Sequence, residues 1–106
     1  MENKYSVILT TCSNEDCLNK LIDSLLDNKL AACIQVVNIR SYYVWQNKKS
    51  TDKELLLLIK TKSDLFSKVE ECIIKNHTYE IPEIIQLPII NGFTKYLNWI
   101  DEVAVS

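Results

Sequence analysis

AACIQVVNIRSYYVWQNKKSTDKELLLLIK, residues 31–60, is the stretch whose reading decides the fold. From Ala31 onward it carries Ile34, Val36, Val37 and Ile39 and then Tyr42, Tyr43, Val44 and Trp45, branched and aromatic side chains that suit a pleated, half-buried surface. The run is unusually long for a strand of a small domain. Gln46-Asn47-Lys48-Lys49-Ser50 is polar and turn-forming, and Glu54 to Lys60 supplies a second strand, so the two runs are expected to pair as a hairpin. Leu55 to Ile59 do not alternate with polar residues, which predicts that both faces of this second strand are covered.

Working outward, Lys4 to Thr11 is β-rich, and beyond it Leu18, Leu21, Ile22, Leu25 and Leu26 recur at helical spacing. Ser13 with Asp16 three residues on resembles a capping box that starts this helix at about Asn14, and Asp27-Asn28-Lys29 ends it. Downstream, Thr61 and Ser63 open a second helix with Leu65, Phe66, Val69, Cys72 and Ile73 on one side. Lys68, Glu70, Glu71 and Lys75 lie on its other side, and it ends near Asn76. Ile84 to Ile90 reads as a fourth strand bracketed by Pro82 and Pro88, residues that lack an N–H and belong at strand starts, bulges or edges. Asn91-Gly92 breaks it before Tyr96, Leu97, Trp99 and Ile100 form a short C-terminal helix. The order β-α-β-β-α-β predicts an α+β, ferredoxin-like fold: a four-stranded antiparallel sheet with both helices on one face. Its other face would then show Leu, Ile, Tyr and Trp to water, a patch that monomers rarely tolerate. Self-association is expected from the pattern alone.

The rest of the composition narrows the class. One glycine and two prolines in 106 residues leave no linker and no repeat, so residues 1–106 read as a single domain. The formal net charge of -2 comes from interspersed signs, with no basic stripe interleaved with aromatics, which argues against a nucleic-acid partner. The apolar runs are too short for an export signal or a membrane span, so a soluble, cytoplasmic protein is expected. Cys12, Cys17, Cys33 and Cys72 form no C-x-x-C pair and read as reduced, structural thiols.

Five segments, KLAAC (29–33), SYYVW (41–45), ELLLLIKT (54–61), HTYEIPEIIQLPI (77–89) and YLNWI (96–100), resemble the CutA family of divalent-cation tolerance proteins. They do so in the same order and with similar spacing over nearly the whole chain. The resemblance implies a ferredoxin-like subunit that assembles into a compact homotrimer through edge-to-edge strand contacts, similar in architecture to PII-type signalling proteins. Family members commonly carry a Pro-Gly pair in the middle of the long second strand and a glycine after the tryptophan. Here those places hold Val37-Asn38-Ile39, one residue shorter, and Gln46-Asn47. Asn47 can keep the turn, because Asn tolerates left-handed backbone best after glycine. The bulge and register near Asn38 are not set by the resemblance. Thr78 replaces the proline that typically follows the family's histidine.

Cys33, Cys72 and His77 stand where CutA-like proteins tend to have Cys, Cys and His, and thiolate and imidazole suit copper and zinc. They are the candidate ligands for a divalent metal ion, copper first. The plainer reading makes the cysteines small buried hydrophobes and His77 a partner of the helix C-terminal dipole. Glu80, Glu83, Asp101 and Glu102 offer oxygen ligands or solvated charges. Tyr43, Trp45, Lys60, Tyr79 and Glu80 mix rings, charges and donors as a ligand cleft does, and as the rim of a subunit interface also does. No catalytic residue is expected: the one histidine has no evident Ser or Cys partner, and a single glycine makes no phosphate-cradling loop. Two functions follow. The first is a non-enzymatic homotrimer that binds copper and serves metal-ion tolerance. The second is a PII-like sensor or scaffold whose intersubunit cleft takes a small anionic or organic ligand and signals to an unidentified protein partner.

Overall fold

The computed structural model describes residues 3–106. In chain order it has β1 (Tyr5–Cys12), α1 (Glu15–Asp27), β2 (Cys33–Trp45), β3 (Lys48–Lys62), α2 (Phe66–Asn76), β4 (Ile85–Pro88) and α3 (Thr94–Val103), with a single 3₁₀ turn, Ser63–Leu65, leading into α2. The four strands form one sheet in the order β2-β3-β1-β4, antiparallel at every pairing. This is the ferredoxin-like α+β arrangement expected from the element order.

The hairpin is tighter than its polar sequence suggests. Trp45 pairs with Lys48, so only Gln46 and Asn47 form the turn, and both have positive φ, 50° and 64°. Positive φ at both central residues is the signature of a type I′ turn, whose twist matches that of the flanking strands. From there the register runs unbroken to Cys33↔Lys60, through Asn38↔Leu55. No bulge interrupts β2 at Asn38. The two missing glycines are therefore absorbed differently, one through Asn47 and its tolerance of left-handed geometry, the other through continuous pairing of the Val37-Asn38-Ile39 segment.

Alternation along the pleat sorts side chains onto two faces. Ile8, Cys12, Leu57 and Ile59 face α1 and α2 and are fully buried, joined in the core by Leu21, Leu25, Val69 and Ile73 from the helices. On the opposite face stand Val7, Leu9, Val37, Leu56, Leu58, Ile85 and Leu87. There Leu56 and Leu58 are half-buried, while Val37, Ile85 and Leu87 are 45–48% exposed. Within one chain, then, β3 is fully covered on the helix side only. α3 covers one end of the other face: Lys60 lies over the Tyr96 ring and Lys62 pairs with Asp101 at 3.9 Å. Between α3 and the arm of the hairpin, Val37, Leu56, Leu58, Ile85 and Leu87 leave an apolar stretch of that face partly open.

α1 begins one residue later than the capping box implied. The Asn14 side-chain oxygen accepts from the Cys17 N–H at 2.8 Å, and the first intrahelical bond runs from the Leu18 N–H to the Asn14 carbonyl, so Asn14, not Ser13, is the N-cap. Its end is a Schellman motif, with the Leu30 N–H on the Leu25 carbonyl and the Lys29 N–H on that of Leu26; Lys29 takes the left-handed position, φ 56°. Asn14→Ala is expected to cost about 1 kcal/mol in urea unfolding. Ser13→Ala should fall within about 0.5 kcal/mol of wild type, and a reversal of that ranking would return the cap to Ser13.

β4 is shorter than the expected Ile84–Ile90. Pro88 cannot donate at the strand's end, and Pro82 precedes its start, so the ladder with β1 runs over Ile85–Pro88, closed by a bond from the Ile89 N–H to the Tyr5 carbonyl at 2.9 Å. Gln86 holds the strand from the core side by donating to the Ser6 hydroxyl at 3.0 Å and the Ser63 carbonyl at 3.2 Å.

Candidate functional site

The end of β1 creates the site. β1 stops at Cys12, opposite Leu55, whereas β2 and β3 continue together to their turn. The hairpin beyond Leu55 therefore projects as an arm with no third strand beside it among the described residues. Under one face of the arm the segment after α2 folds back. His77 fixes this fold-back: its Nε2 is 2.6 Å from the Thr11 carbonyl, and its Nδ1 accepts the Tyr79 N–H at 3.0 Å. A carbonyl only accepts, so the proton sits on Nε2 and both ring nitrogens are occupied. The Tyr79 phenol then reaches the arm and donates to Glu54 Oε2 at 2.6 Å.

The result is a cleft of about 740 Å³ between arm and fold-back, lined by Ser41, Tyr43, Trp45, Asp52 and Glu54 on one side and Tyr79, Glu80, Ile81, Pro82 and Glu83 on the other. The five arm residues share the open face by alternation. The Tyr43 phenol donates to Asp52 as Tyr79 does to Glu54. For Tyr79, burial first and the Glu54 carboxylate second push the phenol above its ordinary range; for Tyr43 the hydrogen bond to Asp52 leads. Because these folded values lie above the unfolded ones, the stabilisation is present at neutral pH and is lost only as alkaline pH deprotonates the phenols. Around neutrality the phenols are donors.

Four of the five residues expected to share a ligand cleft, Tyr43, Trp45, Tyr79 and Glu80, line this one. Lys60 does not. It stands at the other end of the sheet, where its ammonium donates to Gln35 at 2.6 Å and lies over Tyr96. Asp52 and Glu54 were missed by sequence reasoning, although the tight turn would have revealed them: with Trp45 opposite Lys48, counting back along the hairpin puts Asp52 beside Ser41 and Glu54 beside Ile39.

The candidate metal ligands separate within the chain. Cys33 pairs with Lys60 on the open face and is half-buried. Cys72 is buried in the helix layer, its sulfur 3.1 Å from the Ser24 hydroxyl and 3.7 Å from the Asn76 amide. The sheet lies between the two thiols. His77 caps α2 and binds Thr11, while Cys33 lies in the row of Val7, four residues or roughly 13 Å along the strand direction, and two strands to the side. Among the described residues no group of three His, Cys, Asp or Glu side chains is arranged to hold a metal ion. Of the remaining thiols, burial pushes that of Cys12 up to about 11, so it stays protonated at neutral pH.

Fold and cleft together define a ferredoxin-like α+β protein with an open apolar sheet face and an anionic, ring-lined cleft beneath a hairpin arm. Residues 6–103 match the family described as CutA1 divalent ion tolerance protein, and the chain belongs to the CutA family. It is 39% identical over 97 residues to the divalent-cation tolerance protein CutA of Thermus thermophilus, covering 91% of this chain and 94% of that protein. A solved structure of the Thermus thermophilus divalent cation tolerance protein superposes with a TM-score of 0.91 at 37% identity, covering 95% of this chain and 99% of the other. One of Archaeoglobus fulgidus, described as a periplasmic divalent cation tolerance protein CutA, gives 0.93 at 31% identity over 95% and 99%. The chloroplastic CutA of Arabidopsis thaliana is 42% identical over 95 residues, 89% of this chain. The chain spans about half the length of the plant relatives it matches, 52% and 54%.

Proposed function

We propose that this protein is a non-enzymatic homotrimer that binds divalent cations, copper first among them, and serves metal-ion tolerance. Membership of a family whose bacterial and archaeal relatives are named for divalent-cation tolerance carries the cation part of this reading. The uncovered apolar face carries the assembly part, since Val37, Ile85 and Leu87 share with half-buried leucines a surface too greasy to be left in water. Assembly also supplies what one chain lacks, because donors that stand apart within a subunit meet donors of a neighbour. No chemical step belongs to this reading. Four free thiols fit a reducing compartment such as the cytosol.

Calorimetric titration with copper, zinc and calcium tests it. Cys33, half-buried on the open face, is the more accessible of the two candidate thiols, so Cys33→Ser should weaken copper binding about tenfold or more, within the range of a lost soft ligand. His77→Ala tests the imidazole separately, whose Nδ1 must release the Tyr79 N–H before it can take a metal. Wild-type protein that takes up no copper at micromolar concentration would sink the cation reading.

A second reading rests on a different observation, the cleft itself. Its volume of about 740 Å³ and its mixture of rings and ionisable groups lie within the range of small-molecule sites, as a PII-like sensor or scaffold acting on a further protein requires. A thermal-shift screen of metabolites tests that reading directly.

A further inference from the structure

We propose that the cleft under the arm takes a small organic ammonium cation, held against ring faces and surrounded by carboxylates. This deepens the sensor reading of the cleft and rests on it. Alternation along the arm separates charge: Asp52 and Glu54 project to the cleft face with Tyr43 and Trp45, whereas Arg40, Lys49 and Lys53 project to the opposite face. Lys53 borders the cleft from that side of the strand, and Lys48, opposite Trp45 at the turn, is the arm cation on the cleft's own face. The fold-back adds Glu80, Glu83 and the Tyr79 ring. Four carboxylates therefore surround the space, and among the described residues the single arm cation on its face sits at the tip of the arm.

The hydrogen bonding decides what such a space can hold. Tyr43 and Tyr79 donate their phenolic protons to Asp52 and Glu54, which pins the rings and leaves no hydroxyl proton of theirs to offer an anion. An anionic ligand would meet net repulsion. A divalent metal needs oxygen donors converging within about 2.0–2.6 Å, and among the described residues no such group of three exists. An organic cation needs no convergence. Its charge is diffuse, it is attracted to a ring face at up to about 6 Å, and it is stabilised by carboxylates spread around it. Trp45, the best ring for this interaction, is 44% exposed and lines the cleft.

Calorimetry on the full chain in its own oligomeric state, with tetramethylammonium and its neutral near-isostere tert-butanol, tests the idea. The ammonium is expected to bind and the alcohol not to bind at the same concentration. Trp45→Leu and Glu54→Gln should each weaken the ammonium about tenfold, as loss of a desolvated cation–π or charge contact does. The amide oxygen introduced by Glu54→Gln can still accept from the Tyr79 phenol, so an unchanged melting temperature shows that the arm is intact. Equal uptake of the two probes, or ammonium binding indifferent to both substitutions, overturns the proposal. So does dissociation of the assembly by the ammonium, which would make the cleft a seat for a neighbour's lysine or arginine. If the ammonium fails while an uncharged or anionic metabolite raises the melting temperature in a Trp45-dependent way, this inference falls and the sensor reading stands. If nothing binds, both fall.

Discussion

Ile85→Lys should leave a folded but dissociated protein. Ile85 is on the edge strand β4, 46% exposed in the single subunit, in the row of Leu9 and Leu58 at the middle of the open face. In a lone subunit a lysine there keeps its ammonium in water, so stability changes little, within about 0.5 kcal/mol. In a trimer closed over this face, the same ammonium is buried without a partner at each of the equivalent contacts, at several kcal/mol apiece. Light scattering should report a trimer for wild type and single subunits for the variant, with native far-ultraviolet dichroism in both. Wild-type protein that is a stable single subunit at micromolar concentration would remove the assembly proposal and the shared metal sites that depend on it.

Ile59→Ala should cause the largest loss of stability. Ile59 is fully buried, paired with Ile8 on one side and Ile34 on the other, and directed at the helices. Its truncation leaves a cavity between two layers of regular structure that cannot easily collapse, which places the cost at about 2–5 kcal/mol. A domain of this size has only about 5–15 kcal/mol in hand. The urea midpoint should fall by roughly 1–2 M, and Ile59→Val should lose only about 0.5–1.5 kcal/mol. Unfolding coupled to assembly depends on concentration, so the variants must be compared at equal subunit concentration. A loss under about 0.5 kcal/mol for Ile59→Ala would mean that the core is not organised around this layer.

The elements were legible because local chemistry agrees with the global fold. Leu18, Leu21 and Leu25 recur with helical period and are buried on α1, and the branched and aromatic run from Ile34 to Trp45 is a strand throughout. Errors arose where neighbouring residues offer the same chemistry. Ser13 and Asn14 are both good N-caps, and only the path of the chain leaving β1 selects Asn14. β4 reads too long in sequence because Ile84, Ile89 and Ile90 look like strand residues, yet the ladder with β1 runs only from Leu9 to Ser6 and closes on a bond from the Ile89 N–H to the Tyr5 carbonyl.

Covalent order and side-chain period alone determined the β-α-β-β-α-β succession, the helix side of the sheet and the surplus of apolar surface on its other side, because each depends on residues a few positions apart. The placement of Tyr79 and Glu80 against Tyr43 and Trp45, the exclusion of Lys60 from that group and the separation of Cys33, Cys72 and His77 were decided by the tertiary structure. These depend on how far β1 runs beside β3 before the hairpin continues alone and on which way His77 turns the chain after α2. Both are settled by hydrogen bonds between residues dozens of positions apart, and no local pattern records them.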